Sequence, residues 1–138
     1  MKKREPVSHI MTKDIIKIDL KKGNLKEAKD ILESNKIRHI PVVQGEDLKG
    51  IISLTDIHRI SFGGNFGQGE VDEAIFDMLS IEQVMSHHPK TVSPTDTVKD
   101  VAELLANEEF HAAPVTEDDK LVGIVTTTDL INYLIDQY

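Results

Sequence analysis

Arg38-His-Ile-Pro-Val-Val-Gln-Gly-Glu-Asp-Leu-Lys-Gly-Ile-Ile-Ser-Leu-Thr-Asp56 is written again 73 positions on, as His111-Ala-Ala-Pro-Val-Thr-Glu-Asp-Asp-Lys-Leu-Val-Gly-Ile-Val-Thr-Thr-Thr-Asp129. Pro41/Pro114, Val42/Val115, Leu48/Leu121, Gly50/Gly123, Ile51/Ile124, Thr55/Thr128 and Asp56/Asp129 are identical at that one offset. A repeat of this kind sets the unit of folding and duplicates any site the unit carries.

Upstream, Val-Ser-His-Ile-Met at 7–11 matches Ile-Glu-Gln-Val-Met at 81–85 at offset 74, so the first copy carries one extra residue before its helix. The copies span 7–61 and 81–138. Residues 62–80 form a linker in which Gly63, Gly64, Gly67 and Gly69 mark a flexible connection, followed by a short helical stretch.

A chain of 138 residues closes one core without disulfides, and two copies of about 55 residues are each marginal alone, so they are expected to share one. With no cysteine there is no thiolate metal site and no thiol nucleophile. The opening Met-Lys-Lys-Arg-Glu-Pro is followed by no apolar run, and no segment approaches the roughly 20 apolar residues of a membrane span. The protein is therefore expected to be soluble and cytoplasmic, without a membrane partner. A net charge of −8 argues against a nucleic-acid surface, whose affinity comes from neutralising phosphates with Lys and Arg.

Within each copy, Asp14–Ile18 and Lys90–Ser93 read as brief strands. Asn24-x-x-Glu27 and Thr97-x-x-Asp100 supply a side-chain acceptor with a carboxylate three residues on, the pattern that opens a helix. Leu25, Ala28, Ile31 and Leu32, and Val98, Val101, Leu104 and Leu105, place one apolar stripe on each helix. Residues 40–43 and 48–53, and 113–116 and 121–126, read as antiparallel strands turned at Gly45 and at Asp118-Asp119. A second helix begins near Thr55-Asp56 or Thr128-Asp129. The predicted fold is α/β (α+β), two beta-alpha-beta-beta-alpha repeats related by a pseudo-two-fold axis, with the apolar strands buried on both faces.

The endings Gly50-Ile-Ile-Ser-Leu-Thr-Asp56 and Gly123-Ile-Val-Thr-Thr-Thr-Asp129 also carry chemistry. The glycine permits close approach to the backbone, the hydroxyls of Ser53, Thr55, Thr126 and Thr128 can donate to phosphate oxygens, and Asp56 or Asp129 can accept from a vicinal diol. All sit at a helix N-terminus, where free amides and the helix dipole favour an anion. A single Ser/Thr-x-x-Asp is more commonly only a helix cap; duplication of the whole context favours the binding alternative.

These features resemble the tandem cystathionine-beta-synthase (CBS) domain pair, or Bateman module. The resemblance rests on the Val/Ile-Met openings at Met11 and Met85, the His-Ile-Pro-Val-Val and Ala-Ala-Pro-Val-Thr segments, and the Gly-x-x-Ser/Thr-x-x-Asp endings. The linker stretch Val71–Leu79 is similar to that of short stand-alone bacterial members of the acetoin-utilisation type. The resemblance implies a non-catalytic sensor of an adenosine ligand held in clefts between paired motifs. One cleft would combine Thr126, Thr128 and Asp129 with Ile15, Ile16, Arg38, His39 and Ile40, and the other Ser53, Thr55 and Asp56 with Pro89, Lys90, Thr91, His111 and Ala112. The apolar members would sandwich the adenine, and Arg38, His39, Lys90 and His111 would meet phosphate.

AMP is the first expectation, then ADP or ATP, with S-adenosylmethionine behind because these cations suit phosphate better than a sulfonium. Arg38 stays charged at any relevant pH, whereas a histidine is mostly neutral near pH 7. The Arg38 cleft is accordingly expected to be the tighter for a charged nucleotide. His87-His88 lack a third ligand at fixed spacing and read as solvated, so no metal is expected. Phe62-Gly-Gly-Asn-Phe-Gly-Gln-Gly69 lacks the Gly-Lys-Ser/Thr of a phosphate loop and reads as linker, its phenylalanines free to anchor it. No motif joins a nucleophile to a base, so no catalytic residue is assigned. A two-fold homodimer through the second helices (Ile57, Ile60; Leu130, Tyr133, Leu134) is expected, with an unidentified regulated protein reading the signal. A ligand-independent assembly module is the competing alternative.

Overall fold

The structure is a computed structural model that describes residues 4–62, 73–108 and 111–138. The glycine-rich stretch 63–69, with Phe66, lies outside the described residues. The chain divides into two compact units, Ile16–His88 and Met1–Ile15 with Pro89–Tyr138. The opening of each repeat therefore folds with the strand hairpin of the other.

In the Ile16–His88 unit the order is β1 (Ile18–Asp19), α1 (Leu25–Asn35), β2 (His39–Gln44), β3 (Asp47–Ser53), α2 (Leu54–Phe62), α3 (Glu73–Met78), α4 (Ile81–Val84) and β4 (Ser86–His87). β1 runs parallel to β2 with Ile18 opposite Val42, β2 pairs antiparallel with β3, and β3 pairs antiparallel with β4. Gly45 turns the hairpin at φ 65°, a left-handed conformation that costs glycine nothing. The Asn24 side chain accepts from the Glu27 amide and starts α1, which ends at Lys36 in the left-handed region.

The second unit contains a 3-10 turn at Val7–His9, α5 (Val98–Asn107), β5 (Ala112–Glu117), β6 (Lys120–Thr126) and α6 (Thr127–Asp136). β5 and β6 pair antiparallel in the register of the first hairpin, with Val115 opposite Gly123 as Val42 is opposite Gly50. Asp118 and Asp119, at φ 53° and 66°, make the turn. α5 opens with a capping box in which Thr97 and Asp100 exchange side-chain-to-backbone hydrogen bonds.

Each apolar stripe is buried in its own core. Leu25, Ala28 and Leu32 join Ile18, Ile40, Val42, Ile52, Ile57, Phe76, Ile81 and Met85; Val101 and Leu105 join Val7, Val92, Ala113, Val115 and Val125. The expected first strands are shorter than their apolar runs. β1 keeps only Ile18 and Asp19, and its counterpart is a single parallel bridge from Val92 to Val115. Each of these segments ends in a side-chain-held turn: the Asp19 carboxylate accepts from the amides of Lys21 and Lys22, and the Asp96 carboxylate from that of Ser93.

Gly50 and Gly123 do allow a close approach, and methionine makes it. A Cβ on Gly50 would lie 2.5 Å from Met85 Sδ and 2.7 Å from the Ser86 carbonyl oxygen; one on Gly123 would lie 2.5 Å from Met11 Sδ. The residue after each methionine then bridges to the strand, Ser86 opposite Ile51 and Thr12 opposite Ile124. The Met openings are thus wedges that bring each opening against a hairpin at a strand position lacking a side chain.

Candidate functional site: two capped aspartates

Both Ser/Thr-x-x-Asp endings close as reciprocal caps. At α2 the Asp56 amide donates to Ser53 Oγ at 3.1 Å, and the Ser53 amide donates to Asp56 Oδ2 at 2.9 Å. At α6 the Asp129 amide donates to Thr126 Oγ1 at 3.1 Å, and the Thr126 amide to Asp129 Oδ2 at 2.9 Å. The cap therefore engages one carboxylate oxygen, Oδ2, and leaves the other, Oδ1, outside the cap. The capping and binding alternatives are not exclusive: capping fixes the carboxylate so that Oδ1 is presented in one orientation.

The two Oδ1 atoms meet different neighbours. Thr12 Oγ1 donates to Asp129 Oδ1 at 3.4 Å, while Arg59 Nη1 lies 3.4 Å from Asp56 Oδ1. Asp56 is buried and Asp129 half-buried. Neither partner was visible in the sequence motif. Thr12 is 117 residues from Asp129; Arg59 could have been found, since it stands one helical turn after Asp56 and the second copy has Asn132 there.

Within the Ile16–His88 unit, pairing of His39 with Ser53 brings Arg38 beside the start of α2, where its carbonyl accepts from the Leu54 amide at 2.8 Å. Arg38 and Thr55 are exposed, His39 and Ser53 half-buried, Ile40 buried and Ile16 exposed. In the second unit Ala112 pairs with Thr126, and the His111 carbonyl accepts from the Thr127 amide at 2.9 Å. His111, Thr128, Lys90 and Thr91 are exposed, Thr126, Ile15 and Pro89 half-buried, and Ala112 buried. Arg38 and His111 are thus backbone equivalents with different side chains.

Lys90 is not idle: its ammonium forms an ion pair with Glu108 at the end of α5. An anion approaching Lys90 competes with that carboxylate. His87 and His88 are exposed, and His87 Nε2 contacts the Glu82 carbonyl oxygen at 2.7 Å. Among the described residues no group of three or more His, Asp or Glu is placed to hold a metal ion, and no helix is long and apolar enough to cross a membrane.

The duplicated hairpin, crossed openings and capped aspartates define a tandem module of two α+β repeats. Residues 7–63 and 81–136 both match the CBS domain model, and the chain belongs to that family. It is 30% identical to the CBS domain-containing protein YhcV of Bacillus subtilis over 107 residues, covering 77% of this chain and 69% of YhcV. Among solved structures, a candidate acetoin utilization protein (AcuB) from Vibrio cholerae is 26% identical with a TM-score of 0.81, over 96% of this chain and 91% of that one. The CBS domain pair of protein MJ0100, solved with 5-methylthioadenosine and S-adenosyl-L-methionine, is 25% identical with a TM-score of 0.76, over 96% and 98%. The chain spans less than half the length of the first curated relatives it matches, some of which are enzymes.

Proposed function

We propose that this chain is a non-catalytic regulatory module that binds an adenosine ligand and passes its occupancy to another protein. Asp56 and Asp129 take the ribose diol, and the exposed hydroxyls and amides at the starts of α2 and α6 face its anionic end. The observation that carries this is the geometry of Asp129: a carboxylate fixed by its cap, with Oδ1 presented beside a hydroxyl at a helix N-terminus. The adenosine compounds bound to the related MJ0100 pair support the same ligand class. AMP is the first choice, then ADP or ATP, because Arg38, Lys90, His39 and His111 offer cationic or protonatable groups to phosphate. S-adenosylmethionine is the alternative. Residues Ile15, Ile16, Ile40, Pro89, Thr91 and Ala112 complete the proposed adenine and phosphate surroundings.

A thermal-shift panel of AMP, ADP, ATP, S-adenosylmethionine, NAD and GTP tests this. A native-state binder at 100 times its dissociation constant adds about 2.7 kcal/mol of stability, a rise on the order of 8–10 °C for a chain of this size. No shift from any adenosine compound at millimolar concentration would refute the sensor.

A second reading, assembly into a homodimer, is favoured by α6. Ile131, Leu134 and Ile135 are 55%, 45% and 62% exposed, and their i, i+3, i+4 spacing makes one apolar stripe. Sensor and dimer are compatible, and sedimentation with and without AMP separates a ligand-dependent assembly from a constitutive one.

A further inference from the structure

We propose that Arg59 is a specificity-determining residue that weakens the Asp56 carboxylate as a diol acceptor, so the two repeats bind adenosine ligands unequally. The inference rests on the proposed function and concerns only the Ile16–His88 unit.

A vicinal diol donates two hydrogen bonds, and a carboxylate receives both only where its lone pairs are available. At Asp56, Oδ2 is committed to the Ser53 amide and Oδ1 lies 3.4 Å from Arg59 Nη1. A guanidinium is always protonated and only donates, so it competes with ribose for the same oxygen and cannot turn to accept. At Asp129 the equivalent Oδ1 faces Thr12 Oγ1 at 3.4 Å, a neutral hydroxyl that can rotate and accept from the incoming diol. Asn132 occupies the position of Arg59 in the second copy, and its shorter, neutral side chain brings no cation to Asp129. The Arg59 side chain is 72% exposed against 10% for Asp56. The ion pair is accordingly weak and displaceable, and its effect is a graded handicap.

The test uses uncharged adenosine, because removing a cation would by itself weaken a phosphate-bearing ligand. Titration calorimetry compares Asp129→Ala, which leaves the Asp56 acceptor, with Asp129→Ala/Arg59→Asn. The double variant should bind adenosine about two- to five-fold more tightly, the range an exposed ion pair spans. Affinity for 2′,3′-dideoxyadenosine should stay the same, and Asp129→Ala/Arg59→Lys should remain with Asp129→Ala. Should the Asp129 change cost the fold, Arg59→Asn alone is titrated, and its weaker adenosine event should tighten by the same factor. No gain with Arg59→Asn, or an equal gain for both nucleosides, overturns the role of Arg59 while leaving the proposed function standing. Failure of the unsubstituted protein to bind any adenosine compound overturns both.

Discussion

The second helices of the two repeats begin alike and end in different surroundings. α2 sends Ile57 into a core that also takes Phe76 from α3, and Ile57 is 1% exposed. α6 has no buried residue, and its Leu130, which occupies the position of Ile57, is only partly buried against its core. Where α6 carries Ile131 and Leu134, α2 carries His58 and Ser61. The apolar residues Ile57 and Ile60 of α2, and Leu130, Tyr133 and Leu134 of α6, suit a two-fold interface by sequence alone. Of the expected faces, α6 leaves only Leu134 exposed, with Leu130 and Tyr133 half-buried, and α2 buries Ile57 and half-buries Ile60 in the core that also takes Phe76. The exposed stripe of α6 is instead Ile131, Leu134 and Ile135. A duplicated fold has thus specialised, one helix for burial and the other presenting an unburied stripe.

The largest test of this contrast is truncation of the equivalent pair. Ile57→Ala should cost about 2–5 kcal/mol by urea denaturation, and Leu130→Ala about 1–2 kcal/mol, because the partly buried site has less to lose. Equal losses would break the contrast.

Next come the glycines under the methionine wedges. Gly50→Ala should cost about 2–3 kcal/mol, since the new methyl meets a strand carbonyl as well as Met85. Gly123→Ala should cost about 1 kcal/mol, since only the flexible Met11 side chain must move. The same denaturation series checks both, and the reverse order would show that backbone approach does not separate the units.

The caps should not differ. Ser53→Ala and Thr126→Ala each remove one acceptor of an amide at a helix start and should each lose about 1 kcal/mol. A marked inequality would mean that Arg59 or Thr12 takes part in the cap as well as in the site.

The smallest effect is at the turn where the repeats differ by one residue. The amides of Lys22 and then Lys21 hold the Asp19 carboxyl below its ordinary value. The folded state thus binds fewer protons there than the unfolded chain. This contribution is complete above the ordinary aspartate pKa of about 3.9 and is lost as pH falls through the lower folded value. The stability advantage of the parent over Asp19→Asn should therefore shrink in acid titrations below about pH 4; an advantage that grows there would reverse the assignment.

Much of the fold was legible because it is local. Pro41/Pro114, the Gly45 and Asp118-Asp119 turns and the caps at Asn24 and Thr97 act within a few residues of themselves, and the hairpins and helices formed where they indicate. The site was legible in part. The Ser/Thr-x-x-Asp text located both carboxylates, but it could not reveal that each cap engages Oδ2, or that Lys90 pairs with Glu108 18 residues away. The close approach at Gly50 and Gly123 was expected as part of the binding chemistry and instead admits Met85 and Met11, which become adjacent to the glycines only after folding.

By itself the sequence determined the duplication, the beta-alpha-beta-beta-alpha unit, the turn and cap chemistry and the position of the two aspartates, all properties of short stretches of chain. Only the tertiary structure decided that the openings at Met11 and Met85 exchange units, that Asp129 meets Thr12, and that Leu130 is only partly buried where Ile57 is fully buried. Those outcomes depend on contacts between stretches far apart in the chain, whose formation must offset the entropy of closing the intervening segment, and no short window of sequence records them.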